Sequence, residues 1–299
     1  DIILGKYPTH DGGKTMIKLI ASDLDGTLLR NGAQSLAPET LDLIRRVIDS
    51  GIHFAAASGR QYANERLLFS GLEDRISYIA ENGSLCIHRG KVISRGIIPD
   101  TLAYRIMREL KKRPGYEILV SREDTCLIEG KNPEFENHVR NVLRYKTQIV
   151  DDVTKADGPF LKLAVADMTA FGSGRTVPDS SREFPSFHEF LKHLQTLFSS
   201  EIKVVTSGNI WIDFVVPDHN KGTALQDLLD LFSVSPEECM VFGDQYNDVE
   251  MLELAGESYA MSTGAPGISA HAAHVTGNVE EVLEELLKKQ PFVPASQRS

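Results

Sequence analysis

Ile17-Lys18-Leu19-Ile20-Ala21-Ser22-Asp23-Leu24-Asp25-Gly26-Thr27 is the stretch on which the fold turns. The run from Ile17 to Ser22 is short and almost continuously apolar, which suits a strand buried on both faces of a parallel sheet. Asp23 then falls where the strand ends, and Gly26 lets the backbone turn sharply beyond it. Open parallel sheets bind ligands outside the carboxyl ends of their strands. Two carboxylates one residue apart at such a rim can divide the chemistry. One coordinates a hard cation and attacks phosphorus; the other moves a proton to and from the leaving group. Alone, the motif also fits an Asx turn capping the next segment, because Asp and Gly are favoured turn residues.

The surrounding sequence repeats the strand–helix rhythm. Pro38-Glu39-Thr40 opens an amphipathic helix carrying Leu41, Ile44, Val47 and Ile48, and Ser50-Gly51 stops it. A second apolar strand, His53 to Ala57, ends at Ser58-Gly59-Arg60, and a further helix leads to Tyr78-Ile79-Ala80 and the turn Glu81-Asn82-Gly83. This order predicts right-handed crossovers and a parallel sheet. Residues 84 to 96 then read as short antiparallel strands with turns at Arg89-Gly90 and Arg95-Gly96. From 98 to 217 helices mix with alternating strands: Ile210, Ile212, Phe214 and Val216 alternate with Trp211, Asp213 and Val215, as in a sheet with two different faces. Val177 to Ser186 is Pro/Ser-rich and reads as an exposed loop. The α/β rhythm returns at Lys221, with a helix predicted from Thr223 to Phe232, a strand Cys239 to Phe242 ending at Gly243-Asp244, a helix from Asn247, a strand at Tyr259 to Met261 and a last helix over 278–289. The expected fold is α/β, with one core built from both ends of the chain and a separate α+β unit between them.

Bulk composition narrows the partners. The chain has 299 residues, enough for two domains or one large one. Its 32 basic and 42 acidic residues give a formal charge of −10, which disfavours nucleic acid or an anionic membrane as the main partner. A small anionic substrate stays compatible, because a bound divalent cation reverses the local field. Cys86, Cys126 and Cys239 are far apart among apolar neighbours and read as buried reduced thiols, which fits a reducing compartment. No apolar run is long enough to span a bilayer, and the first sixteen residues are too polar for a signal peptide, so the expected location is cytoplasmic. Residues 1–15 precede the first strand and read as an extension or leader outside the fold.

Four groups fall at predicted strand ends or helix starts: Asp23/Asp25, Ser58, Lys221 and Asp244/Asp248. In that order Asp23-Leu24-Asp25-Gly26-Thr27, Ser58-Gly59-Arg60, Lys221-Gly222 and Gly243-Asp244-Gln245-Tyr246-Asn247-Asp248 resemble the four motifs of the haloacid dehalogenase (HAD) superfamily. Ala80-Glu81-Asn82-Gly83 and Ser235-Pro236-Glu237-Glu238 are similar to its Cof-like sugar-phosphatase branch. The resemblance implies a Rossmann-like parallel-sheet core over 16–97 and 218–290, an inserted α+β C2-type (IIB) cap over 98–217, and a polar tail over 291–299.

The chemistry these residues can perform is coherent without the family. Phosphate monoesters are dianions that repel anionic nucleophiles, so hydrolysis needs charge neutralisation and in-line positioning. Mg²⁺ prefers octahedral oxygen ligands with few carboxylates and several waters. Asp23 and Asp244, at adjacent strand ends, suit two of those positions. The resemblance adds the main-chain carbonyl of Asp25. Asp248, four residues beyond Asp244, is suited to orienting a metal-held water. The expected catalytic set is Asp23 as nucleophile, Asp25 as acid and base, and Ser58 and Lys221 as phosphoryl ligands, with Gly59 and Asn247 at the same subsite.

Each residue has a plainer alternative. Asp244 suits a helix N-cap, Lys221 a solvated helix start, Asn82 and Asn247 turns, and Arg60 a structural clamp. Gly172-Ser173-Gly174 lacks the spacing of a phosphate loop, and His271 with His274 lacks a third metal ligand. Trp211 and Tyr246 suit packing or the framing of a substrate. The expected activity is Mg²⁺-dependent hydrolysis of a small phosphorylated metabolite such as a sugar phosphate, through an aspartyl-phosphate. Phosphoryl transfer between sugars, and a non-enzymatic receiver or phosphate sensor, are the alternatives.

Overall fold

The computed structural model describes residues 15–168, 186–206 and 210–290. The expected leader before residue 15, the Gly172-Ser173-Gly174 turn, the loop 177–185 and the tail from 291 lie outside the described residues. In chain order the first segment comprises β1 (Leu19–Asp23), α1 (Pro38–Asp49), β2 (His53–Ala57), α2 (Tyr62–Leu68), β3 (Ser77–Ala80), β4 (Leu85–His88) and β5 (Lys91–Arg95). The middle segment comprises α3 (Asp100–Leu110), β6 (Tyr116–Ser121), β7 (Cys126–Ile128), α4 (Pro133–Asn137), β8 (Thr147–Ile149), β9 (Lys162–Asp167), α5 (Phe187–Phe198), β10 (Lys203–Thr206) and β11 (Trp211–Val215). The last comprises α6 (Lys221–Phe232), β12 (Cys239–Gly243), α7 (Val249–Leu254), β13 (Glu257–Met261), β14 (His274–Thr276) and α8 (Val279–Lys289).

Two sheets result. The first has eight strands in the order β14-β13-β12-β1-β2-β3-β4-β5, parallel from β14 to β3, with β4 and β5 added as an antiparallel edge. Every residue of β1 is buried because both faces are covered. Ile20 packs with Ile44 and Val47 of α1, Phe54, Phe242 and Leu283 of α8. Leu19 and Ala21 point the other way, against Leu225 and Leu228 of α6 and Leu252 of α7. Each such side chain, fully buried, contributes roughly 1.5–3 kcal/mol relative to exposure. Register fixes the rim: Asp23 lies opposite Ala57, and Ser22 lies opposite Phe242. Asp23, Ser58 and Asp244 therefore emerge side by side.

The second sheet has six strands in the order β10-β11-β9-β6-β7-β8, antiparallel except for β7 with β8. One face buries Leu163, Val165, Ile212 and Phe214 beneath α3 and α5. The other carries Ala164, Ala166 and Trp211, with Phe135 of α4 packed on them. The alternation read over 210–216 thus separates two unlike faces. α6 begins two residues earlier than the sequence predicts. Asn220 caps it by accepting from Thr223 N (2.9 Å), while Asn220 N donates to Thr223 Oγ1 (3.0 Å). The short edge strand β14 is an addition that the sequence pattern did not signal.

Candidate active site

Asp23, 5% exposed, ends β1; Lys221, 0% exposed, opens α6; and Asp244 and Asp248 follow β12. Lys221 Nζ lies 2.6 Å from Asp23 Oδ1 and 2.6 Å from Asp248 Oδ1. A lysine at a helix N-terminus opposes the helix dipole. Here two buried carboxylates compensate it, so the solvated-lysine alternative fails. Burial alone would lower its pKa; Asp23 and Asp248 outweigh that and raise it, keeping the ammonium charged. Asp248 Oδ2 accepts from the backbone N–H groups of Asp244 (2.8 Å) and Gln245 (2.9 Å). Asp248, not Asp244, meets these amides, and both of its oxygens are engaged.

Asp244 Oδ1 accepts from Thr27 Oγ1 (3.1 Å), tying β12 to the first turn. Gly26 makes that approach possible: its φ is +94°, and a Cβ there would stand 2.2 Å from Asp244 Oδ2. Asp23, Asp244 and Asp248 each place one carboxylate oxygen within 4.8 Å of the others'. Burial, opposed by Lys221 and reinforced by Asp248, Asp244 and Asp25, holds the Asp23 carboxyl well above the usual range. Burial and Asp248 raise Asp244 likewise. Asp23 Oδ2 is buried with no hydrogen-bond partner among the described residues. Three carboxylates against one ammonium leave an excess of two negative charges, so the donor set fits one hard divalent cation.

Asp25 is placed differently. Its side chain is 53% exposed and held by Arg60 through Nε–Oδ2 (2.7 Å) and Nη2–Oδ1 (2.6 Å). Arg60 is thus a clamp, also bonding Asn64 Oδ1 (3.0 Å). Ser58 is 1% exposed, and its Oγ accepts from Arg60 N at 3.2 Å. Asn82 sits between Gly59, after β2, and Asn247, after β12, on three successive residues of positive φ: Glu81 (52°), Asn82 (60°) and Gly83 (94°). Such non-glycine conformations persist where the surroundings hold them. Asn82 Oδ1 accepts from Asn247 Nδ2 (3.0 Å) and would meet a Cβ on Gly59 at 2.8 Å.

Several participants gave no sequence signal. Lys162 donates to Gly59 O (2.8 Å) and lies 2.6 Å from Glu81 Oε2, an ion pair whose angles depart from a hydrogen bond. Asp213 accepts from Asn82 Nδ2 at 3.1 Å. Glu65, 0% exposed, has no hydrogen-bond partner on either oxygen among the described residues. Their strand and helix positions resemble ordinary surface charges in the sequence. His271 and His274 pair with Glu253 and Glu257 on the surface, Trp211 packs against Phe135, and Tyr246 is exposed with its hydroxyl on Pro266 O (3.1 Å). The three cysteines are free and buried. No helix among the described residues is long and apolar enough to cross a membrane.

A parallel sheet with helices on both faces thus carries an acidic cluster at its carboxyl rim. The chain belongs to the haloacid dehalogenase-like hydrolase family, whose model matches residues 20–286. It is 27% identical over 282 residues to the 5-amino-6-(5-phospho-D-ribitylamino)uracil phosphatase YbjI of Escherichia coli K12, covering 92% of this chain and 98% of that one. It is 24% identical over 260 residues to the HMP-PP phosphatase of Serratia proteamaculans, covering 85% and 87%. A crystal structure from Eubacterium rectale, 28% identical, superposes with a TM-score of 0.77 over 91% of this chain and all (100%) of the other. The subclass IIB sugar phosphatase BT4131, 18% identical, shares the fold with a TM-score of 0.69 over 90% and 98%.

Proposed function

We propose that the protein is a Mg²⁺-dependent phosphomonoesterase acting on a small phosphorylated metabolite, with 98–217 serving as a cap over a core formed by 16–97 and 218–290. The observation that carries this is the buried, unpartnered Asp23 Oδ2 beside Lys221 and the acidic cluster. The phosphatase names of the relatives support the reaction class. Asp23 and Asp244, with the carbonyl of Asp25, would hold Mg²⁺, and Asp248 would orient what surrounds it. Mg²⁺ would supply the charge neutralisation that lets a phosphate dianion approach a carboxylate.

Asp23 attacks phosphorus in line with the ester oxygen, so that its oxygen–phosphorus bond forms as the ester bond breaks. Asp25 gives its proton to the departing alkoxide, and the free alcohol leaves. In the second half Asp25 takes a proton from water, whose oxygen releases phosphate and restores Asp23. Ser58, Gly59 and Lys221 hold the transferred oxygens, and Asn247 steadies the loop beside them. The seam contacts of Gln61 with Lys146 N (2.8 Å), and of Asn64 with Leu143 O, suit a cap seated on the core.

The test is phosphate release from p-nitrophenyl phosphate with Mg²⁺. D23N is expected to lose at least about 10³-fold in kcat. Undiminished release by D23N, or wild-type release that persists unchanged under EDTA, overturns the assignment.

A further inference from the structure

The two edges of the six-stranded sheet are fastened to the core by unlike chemistry. Before β8, Lys146 N and Leu143 O meet the side-chain amides of Gln61 and Asn64, at the start of α2. Those two amide side chains are 1% and 4% exposed. At the opposite edge Lys203, the first residue of β10, places Nζ 2.8 Å from Glu250 Oε1 of α7. α2 follows β2 and α7 follows β12, the two strands that flank β1. The fastenings therefore stand on either side of Asp23. Lys203 and Glu250 are 40% and 34% exposed, within reach of water and salt, so this fastening parts more readily than the buried one.

What Glu250 rests on ties the pair to the acidic cluster. A Cβ on Gly222 would stand 2.7 Å from Glu250 Cβ and 2.8 Å from its carbonyl oxygen, so α7 lies directly against the first turn of α6. Lys221, whose ammonium joins Asp23 to Asp248, is the residue before that glycine. Glu250 Oε2 is buried with no hydrogen-bond partner among the described residues. Lys203 compensates that carboxylate from the second sheet, and the contact ends one residue from the site's own ammonium.

We infer that Lys203 and Glu250 are positioning residues, their ion pair a releasable latch that seats the cap on the Lys221 side of the acidic cluster while the Gln61 side stays fastened. The inference rests on the phosphomonoesterase reading above, with 98–217 as the cap. Phosphate release from p-nitrophenyl phosphate with Mg²⁺ is measured for wild type, K203M, E250Q and the charge swap K203E/E250K. KM is expected to rise about two- to fivefold in both single variants and to return toward wild type in the swap. A long-range field gives a different pattern: losing a cation and losing an anion would move KM for a dianionic substrate in opposite directions. Raising NaCl from about 0.02 to about 0.5 M should bring wild type and K203M together. Opposite shifts in the single variants, KM unchanged in both, or no recovery in the swap overturns the latch. Amide hydrogen exchange over 203–206 and 244–250, without substrate, is expected to quicken in K203M and E250Q and to slow again in the swap. Exchange unchanged in the single variants also overturns the latch. A wild type that releases no phosphate while exchange responds as expected overturns instead the phosphatase reading and leaves the latch standing.

Discussion

The two sheets bury charge in opposite ways. In the eight-stranded sheet the strand interiors are apolar and the acids wait for the ends: Asp23 is the last residue of β1, and Asp244 follows the last residue of β12. In the six-stranded sheet Asp213 sits inside a strand, buried through side-chain alternation. A rim delivers charges from several loops to one point, where they can compensate each other and hold a cation. A strand face gathers charges from neighbouring strands, as with Lys162 and Asp213, and needs the packing of a second surface to bury them.

Three substitutions sharpen that contrast. The largest effect is expected at the rim. K221M leaves Asp23 and Asp248 facing each other without their ammonium, lowering unfolding free energy by about 3–5 kcal/mol and turnover by at least about 10²-fold. Urea unfolding and phosphate release measure the two; wild-type stability would mean that the buried charges are not mutually compensated. At the seam, K162M frees Glu81 and the Gly59 carbonyl. It should cost about 1.5–3 kcal/mol by the same unfolding assay. A cost equal to that of K221M would erase the distinction between rim and face.

The third effect, spread over a range of pH, concerns Glu65, behind the rim on α2. Burial, then Glu81, hold its carboxyl well above the ordinary value of 4.5, against the pull of Lys221 and Arg60. A carboxyl raised in the folded state supports folding below its unfolded pKa and withdraws that support as pH climbs toward the folded one. E65Q should therefore gain on the wild type as pH rises from about 4.5, by at most about 1.4 kcal/mol per pH unit. Unfolding curves at pH 5 to 8 check it, and a difference that stays flat would mean that Glu65 is ionised in the folded protein.

The parallel core was readable because its signals are local. Apolar runs of five residues, ended by Asp23-Leu24-Asp25-Gly26 or Gly243-Asp244, carry strand, turn and candidate ligand in one stretch. Lys221 does open α6, as its place in the motif series reads, but what makes a lysine tolerable there, the pairing with Asp23 and Asp248, is not written in the local sequence. The Arg60–Asp25 clamp depends on side-chain rotamers 35 residues apart, which no periodicity encodes. Lys162 and Asp213 were invisible for a related reason. A charge at alternate positions of an amphipathic strand reads as solvent-facing, and only the packing of one sheet on the other buries it.

The pairing of β1 with β12 has a consequence for synthesis. Leu19 lies beside Cys239 in the finished sheet. While the chain is being made, β1 can gain β2 early, but its other side stays open until β12 emerges. For most of translation the strand that will be central is an edge, with unpaired backbone groups and an apolar sequence on both faces. Such edges template wrong pairings. The nascent protein is thus most vulnerable where the mature one is best protected, and a ribosome stalled within the middle segment would leave that strand exposed to other chains.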